Sequence, residues 1–155
     1  MQTLLTVLVT WLSINFALPA IYEHPRVEFV SAARMAEVRY SRLASIRPDR
    51  VAAEAGRSAS PEFGHGVHAI YDDRSRTIYL PEGWTGATPA EVSVLVHELV
   101  HHLQNVAGLK YDCPGAREKP AYRAQARWLE LFGKGLADEF AIDAMTILVR
   151  TSCMR

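Results

Sequence analysis

Three of the chain's six histidines fall within a short stretch, at His97, His101 and His102. Two of them frame the pattern His97-Glu98-Leu99-Val100-His101. On an α-helix four residues advance just over one turn, so the two imidazoles leave one face roughly 6 Å apart. Neutral imidazoles at that separation can grip one Zn²⁺ at about 2.0–2.1 Å each. Glu98 leaves the helix beside them, placed to take a proton from a water whose pKa such an ion lowers toward about 7. Water activated in this way attacks a carbonyl carbon. The five-residue pattern arises by chance in many chains, so its setting matters. Here the segment is otherwise so apolar that Glu98, His101 and His102 need partners in the interior, and a metal would be one.

A catalytic zinc takes three protein ligands and keeps a fourth position open. A further histidine six residues after His101 is absent: Ala107 stands there, and Gln104 stands where the accompanying glycine would be. The remaining candidates are Asp112, Cys113, Glu118 and Glu130. Glu118 is preferred, because it opens the next helical pattern after a stretch long enough for the chain to turn back. Tyr122, Gln125 and Leu129 follow it on the same face, which suits a ligand with polar support behind it. The competing reading is a surface acid favoured by the helix dipole. Cys113 is the runner-up ligand if it is a free thiol. Tyr122 could donate a hydrogen bond to a developing oxyanion, orient Glu118 or a histidine, or simply pack. His102 points about 100° around from His101 and is expected to support the site or face outward. Trp84 is expected to cover the hairpin, with pocket lining as the alternative.

These side chains need elements to hold them. Thr88-Pro89-Ala90-Glu91 combines a capping hydroxyl, a first-turn proline and the glutamate of a capping box. Val92, Leu95, Leu99, Leu103 and Val106 then give one inward face as far as Gly108, a suitable stop. After Pro114-Gly115 a second helix is expected from Ala116 or Arg117 to Gly133. Pro120 is placed in its first turn, because deeper inside a helix it costs about 3 kcal/mol. Upstream, residues 26–30 alternate as a strand and residues 32–42 read as a short helix. Residues 44–66 read as a long surface connection, with His65 and His68 at its end as exposed or hairpin-lining residues. Residues 67–71 and 76–80 flank Asp72-Asp73-Arg74-Ser75 as a hairpin. A last helix is expected over residues 140–149. The reading is an α+β domain, with a small mostly antiparallel sheet, one helix bearing the metal and a second helix bearing the glutamate.

Length and charge agree with a single domain over residues 1–155. The chain carries 17 basic and 17 acidic residues, 49% hydrophobic and 22% charged residues, and a formal charge of zero. Nine basic residues precede Pro81 and eight follow, so there is no cationic patch to neutralise phosphates, and nucleic acid is excluded as a partner. Residues 4–18 are apolar and uncharged, leaving three readings of the N-terminus. Within residues 1–20 lies either a retained core helix, whose Thr3, Thr6, Thr10 and Ser13 form a narrow polar stripe, or a secretory signal cleaved after Ala20. The third reading is membrane or envelope association through residues 4–18. Cys113 and Cys153 are either buried thiols or a disulfide. A cytoplasmic location goes with the core helix, a periplasmic or secreted one with a signal and a bonded pair.

The segment Thr77–Gln104, with HELVHH on a capped helix, followed by Glu118 on another, resembles the zincin metallopeptidases. Within them it is similar to the gluzincin arrangement, in which a glutamate on a second helix completes the ligand set. The chain as a whole resembles small bacterial HExxH proteins of a minimal type. The resemblance implies one Zn²⁺ held by His97, His101 and Glu118, with Glu98 as general base and a peptide or protein as substrate. It also implies that the strand Thr77–Leu80 could take an extended peptide as an added strand. Tyr122 departs from the larger gluzincins, which have an aspartate four residues after the glutamate. No large second lobe walls the cleft. The expected activity is zinc-dependent hydrolysis of peptide bonds, the alternative a zinc-stabilised binding or regulatory module, one version of which lies in the cell envelope.

Overall fold

A computed structural model of the chain describes residues 1–46 and 69–153. Helix α1 (Gln2–Phe16) buries Leu5, Leu8, Val9 and Leu12 and leaves Thr3, Thr6 and Thr10 outside. The Thr6 and Thr10 hydroxyls donate back to the carbonyls of Gln2 and Thr6, at 3.1 and 2.9 Å. The polar stripe is therefore satisfied by the helix itself, while the apolar face enters the main core. No helix among the described residues is long and apolar enough to cross a membrane. This overturns the expectation of membrane association through residues 4–18, whose buried leucines pack on the protein's own interior.

Strand β1 (Arg26–Val30) leads into helix α2 (Ala32–Ile46), four residues longer than its sequence pattern suggests. The expected connection over residues 44–66 thus begins within a helix. Residues 47–66, with His65, and His68 beyond them, lie outside the described residues. Strands β2 (Ile70–Asp72) and β3 (Thr77–Pro81) form the expected hairpin. Its turn is held by the Asp72 carboxylate, which accepts hydrogen bonds from the Arg74 and Ser75 amides at 3.2 and 3.4 Å. The sheet order is β1-β3-β2. β2 runs antiparallel to β3, but β1 runs parallel to it, with Val27 opposite Ile78 and Phe29 opposite Leu80. The sheet is mixed rather than mostly antiparallel. A parallel pair needs a crossover, and α2 lies within it. The same order places Thr77–Leu80 in the middle of the sheet. Both edges of β3 are already paired, so it cannot accept an added peptide strand.

Helix α3 (Pro89–Val106) starts as expected: the Glu91 amide donates to Thr88 Oγ1 and the Thr88 amide to the Glu91 carboxylate, both at 3.1 Å. Every residue from Val92 to Gln104 is buried, because the rod is enclosed by α1, the sheet and α4. Gly108, at φ 64°, ends it in the left-handed conformation that a side chain would strain. Trp84 packs against this core and its Nε1 donates to the Glu91 carbonyl at 2.9 Å, a covering role.

Helix α4 (Pro114–Glu130) begins earlier than expected, and Pro120 lies inside it instead of in its first turn. The reason is a cap that the sequence reading did not consider: Cys113 Sγ accepts from the Ala116 amide at 3.3 Å, with Pro114 at the first helical position. The absent N–H of Pro120 removes one backbone bond. The expected last helix is two, α5 (Leu136–Phe140) and α6 (Ala144–Thr151). Ala141 is left-handed (φ 53°) and ends α5, and the Asp143 carboxylate caps α6 through the Thr146 amide at 2.7 Å. Cys113 and Cys153 are joined, with Cα atoms 5.7 Å apart. The thiol alternative is set aside, and so is Cys113 as a ligand.

Candidate metal centre

The site lies between α3 and α4. His97 and His101 leave α3 one turn apart, and their rings stand 5.0 Å apart, edge to face. Glu118 leaves the second turn of α4, and its Oε2 lies 3.2 Å from His97 Nε2 and 3.4 Å from His101 Nε2. One ligand atom from each of the three lies within 4.8 Å of the others, the arrangement of a metal-binding cluster. Both imidazoles are buried and Glu118 half-buried.

The surrounding hydrogen bonds decide which ring nitrogen faces the cluster. Gln104 Oε1 accepts from Arg117 Nε at 3.3 Å, and Gln104 Nε2 donates to the Arg117 carbonyl at 3.1 Å. Arginine can only donate and a carbonyl only accept, so the amide orientation is fixed. His101 Nδ1, 3.0 Å from the same Oε1, must then be the protonated nitrogen. A parallel argument holds on the other side. Ser93 Oγ donates to the Ala90 carbonyl at 2.7 Å and accepts from Gln125 Nε2 at 3.4 Å. Gln125 Oε1 therefore accepts from His97 Nδ1, at 3.0 Å. In the neutral rings both Nε2 atoms carry lone pairs, and both face a carboxylate. Three acceptors aimed at one another repel unless a cation lies among them, so the donor set fits a divalent metal. Without one, His97 is driven to take up a proton. Burial works against charge on His97, but Glu118, Glu98 and Gln125 outweigh it and raise the pKa. Burial likewise pushes Glu118 up, yet hydrogen bonds and charge from His101 and His97 hold its carboxyl well below the ordinary range.

Glu98 does not join the cluster. Its Oε2 accepts the Tyr71 amide of β2 at 2.8 Å, in a buried setting. The Tyr71 hydroxyl accepts from Asn105 Nδ2 at 2.9 Å and lies 3.2 Å from His102 Nδ1. His102 Nε2 is 2.7 Å from the Glu23 carbonyl, which makes Nε2 the donor and leaves Nδ1 to accept the tyrosine proton. Burial lowers the His102 pKa and keeps the ring neutral. His102 is thus an interior support behind the strand that carries Glu98's partner.

Tyr122 packs its ring edge-on against His97, centroids 4.8 Å apart, and its hydroxyl accepts from Arg150 Nη1 at 2.8 Å. Burial raises its pKa. Of the other ligand candidates, Asp112 is exposed and Glu130 is paired with Arg127 at 3.0 Å. Gln104 was visible in the sequence only as a departure from a glycine. Its place three residues after His101, on the same face, is the signal that could have marked it. Arg117 and Asp73, a pair at 2.7 Å joining α4 to the hairpin turn, had no local signal at all.

The family described as Domain of unknown function (DUF6647) matches residues 1–155. The chain belongs to the DUF6647 family. No curated protein and no solved structure matches it. In this DUF6647 chain the chemistry follows from the cluster itself. The geometry matches a minimal zincin-like site: HExxH on α3 and a third ligand from α4.

Proposed function

We propose that the protein is a zinc-dependent hydrolase of peptide bonds, with residues 1–155 forming one domain and residues 1–20 retained as part of its core. The observation that carries this reading is the convergence of three metal-facing acceptors, His97 Nε2, His101 Nε2 and Glu118 Oε2, beside a second carboxylate, Glu98, that is held apart. His97, His101 and Glu118 would hold the ion, which when bound supplies Lewis acidity and an acidic water. Glu98 then acts as the base. One carboxylate oxygen is occupied by the Tyr71 amide, so the other takes the proton from water and returns it to the leaving amine. Tyr122 accepts from Arg150 and so retains its own proton for an oxygen that gains charge. The Cys113–Cys153 bond favours an oxidising compartment, so the core helix and the bonded pair occur together instead of marking different locations.

The decisive experiment pairs zinc stoichiometry with peptide hydrolysis in Glu98→Gln. One zinc per chain is expected in both proteins, with hydrolysis in the variant lower by at least about 100-fold, the scale of a lost general base. Equal hydrolysis in the two proteins would remove Glu98 from the mechanism. Zinc binding with no hydrolysis in either would leave a zinc-stabilised binding module.

A further inference from the structure

The C-terminal residues are fixed to the site by two features unrelated to apolar burial. The disulfide joins Cys153 to Cys113, the cap of the helix that carries Glu118. Gly115, in the first turn of that helix, lets the backbone of residues 150–152 lie against it: a Cβ there would sit 2.7 Å from the Ser152 carbonyl oxygen. Helix α6 buries none of its residues fully, yet it ends by delivering Arg150 to Tyr122.

Arg150 is, among the described residues, a cation without an acid. Among the described residues its hydrogen-bond partner is the Tyr122 hydroxyl, and no carboxylate pairs with it. Through Tyr122 it stands one ring away from His97. Nearer the metal position Glu98 and Glu118 would offset a divalent ion. Arg150 is exposed, so its guanidinium is open to a ligand, and its planar fork of donors matches a carboxylate in two parallel hydrogen bonds.

We infer that Arg150, held by the C-terminal strap, is a specificity residue that binds a carboxylate of the peptide occupying the zinc site. The inference rests on the peptide-hydrolase reading for the identity of the ligand, and it narrows that ligand to peptides bearing a carboxylate near the bond addressed. Two sources supply one: the C-terminus and an acidic side chain.

The test measures binding by calorimetry to the full chain carrying Glu98→Gln, which stops turnover, with zinc and without it. The probes are N-acetyl-trialanine as free acid, the same peptide as its amide, and an amidated N-acetyl peptide with aspartate in the middle. The free acid or the aspartyl peptide should bind at least about tenfold more tightly than the plain amide. Added Arg150→Gln should bring the preference to within about twofold, and Arg150→Lys should retain part of it, since the charge remains and the fork is lost. Which of the two carboxylate peptides gains identifies the source. No preference, or a preference that survives Arg150→Gln, overturns the inference. The zinc-free measurement separates it from the proposal beneath it. Preference without zinc uptake would keep Arg150 and discard the hydrolase, whereas zinc uptake without preference would do the reverse.

Discussion

Helices α3 and α6 reach the same site by opposite means. α3 is buried along Val92–Gln104, and its orientation follows from the leucines and valines packed around it. α6 leaves Met145, Leu148 and Val149 exposed, packs Ile147 against Tyr122, Leu129 and Leu136, and is otherwise held by a disulfide, a backbone contact at Gly115 and one arginine–tyrosine hydrogen bond. Burial positions the metal-facing residues. Covalent and polar ties, with one apolar side chain, position what stands next to them. The difference teaches that a small domain can place a functional group on a helix with little core of its own, provided the chain is fastened nearby.

The sharpest way to break this contrast is inside α3. Leu99→Ala removes a fully buried side chain between the two ligands and should cost about 2–5 kcal/mol, measured by denaturant unfolding. A cost below 1 kcal/mol would mean that α3 is not fixed by packing. Next comes the tie on α6. Replacing both cysteines by alanine should cost about 2–4 kcal/mol, given the 40-residue separation. Hydrogen exchange should then rise in α6 while α3 stays protected. Smaller still is the effect of Gln125→Leu, which takes away the acceptor from His97 Nδ1. Zinc affinity should fall by about 10- to 100-fold, read by competition with a chelator. The smallest effect is expected at the exposed face of α6. Leu148→Ser should change stability by no more than about 0.5 kcal/mol in the same unfolding assay, and a larger loss would show that α6 packs more firmly than its exposure indicates.

The parts of the molecule legible in the sequence are those set by local rules. The cap at Thr88, the periodic apolar residues of α3 and the spacing of His97, Glu98 and His101 all act within a few turns of one helix. Glu118 was legible because a return turn limits how far along the chain a third ligand can lie. The parallel pairing of β1 was not, because strand partners are chosen across the fold and nothing within Arg26–Val30 names one. Pro120 was misplaced for a related reason. The rule against interior prolines is local, but the start of α4 is set by Cys113, whose role as cap and half of a disulfide depends on a residue 40 positions away. Gln104 and Arg117 belong to the same class, since their meaning emerges only when α3, α4 and the hairpin turn meet.

The bond from the Tyr71 amide to Glu98 has a consequence for the hairpin. Amides along a strand point alternately to its two sides, so those of Ile70 and Asp72 face β3 while that of Tyr71 faces α3. Sliding β2 by a single position would therefore turn the donor away from Glu98 and the aromatic ring away from His102 at the same moment. The register of a three-residue strand and the aim of the Glu98 carboxylate are one setting, and neither can drift while the other holds.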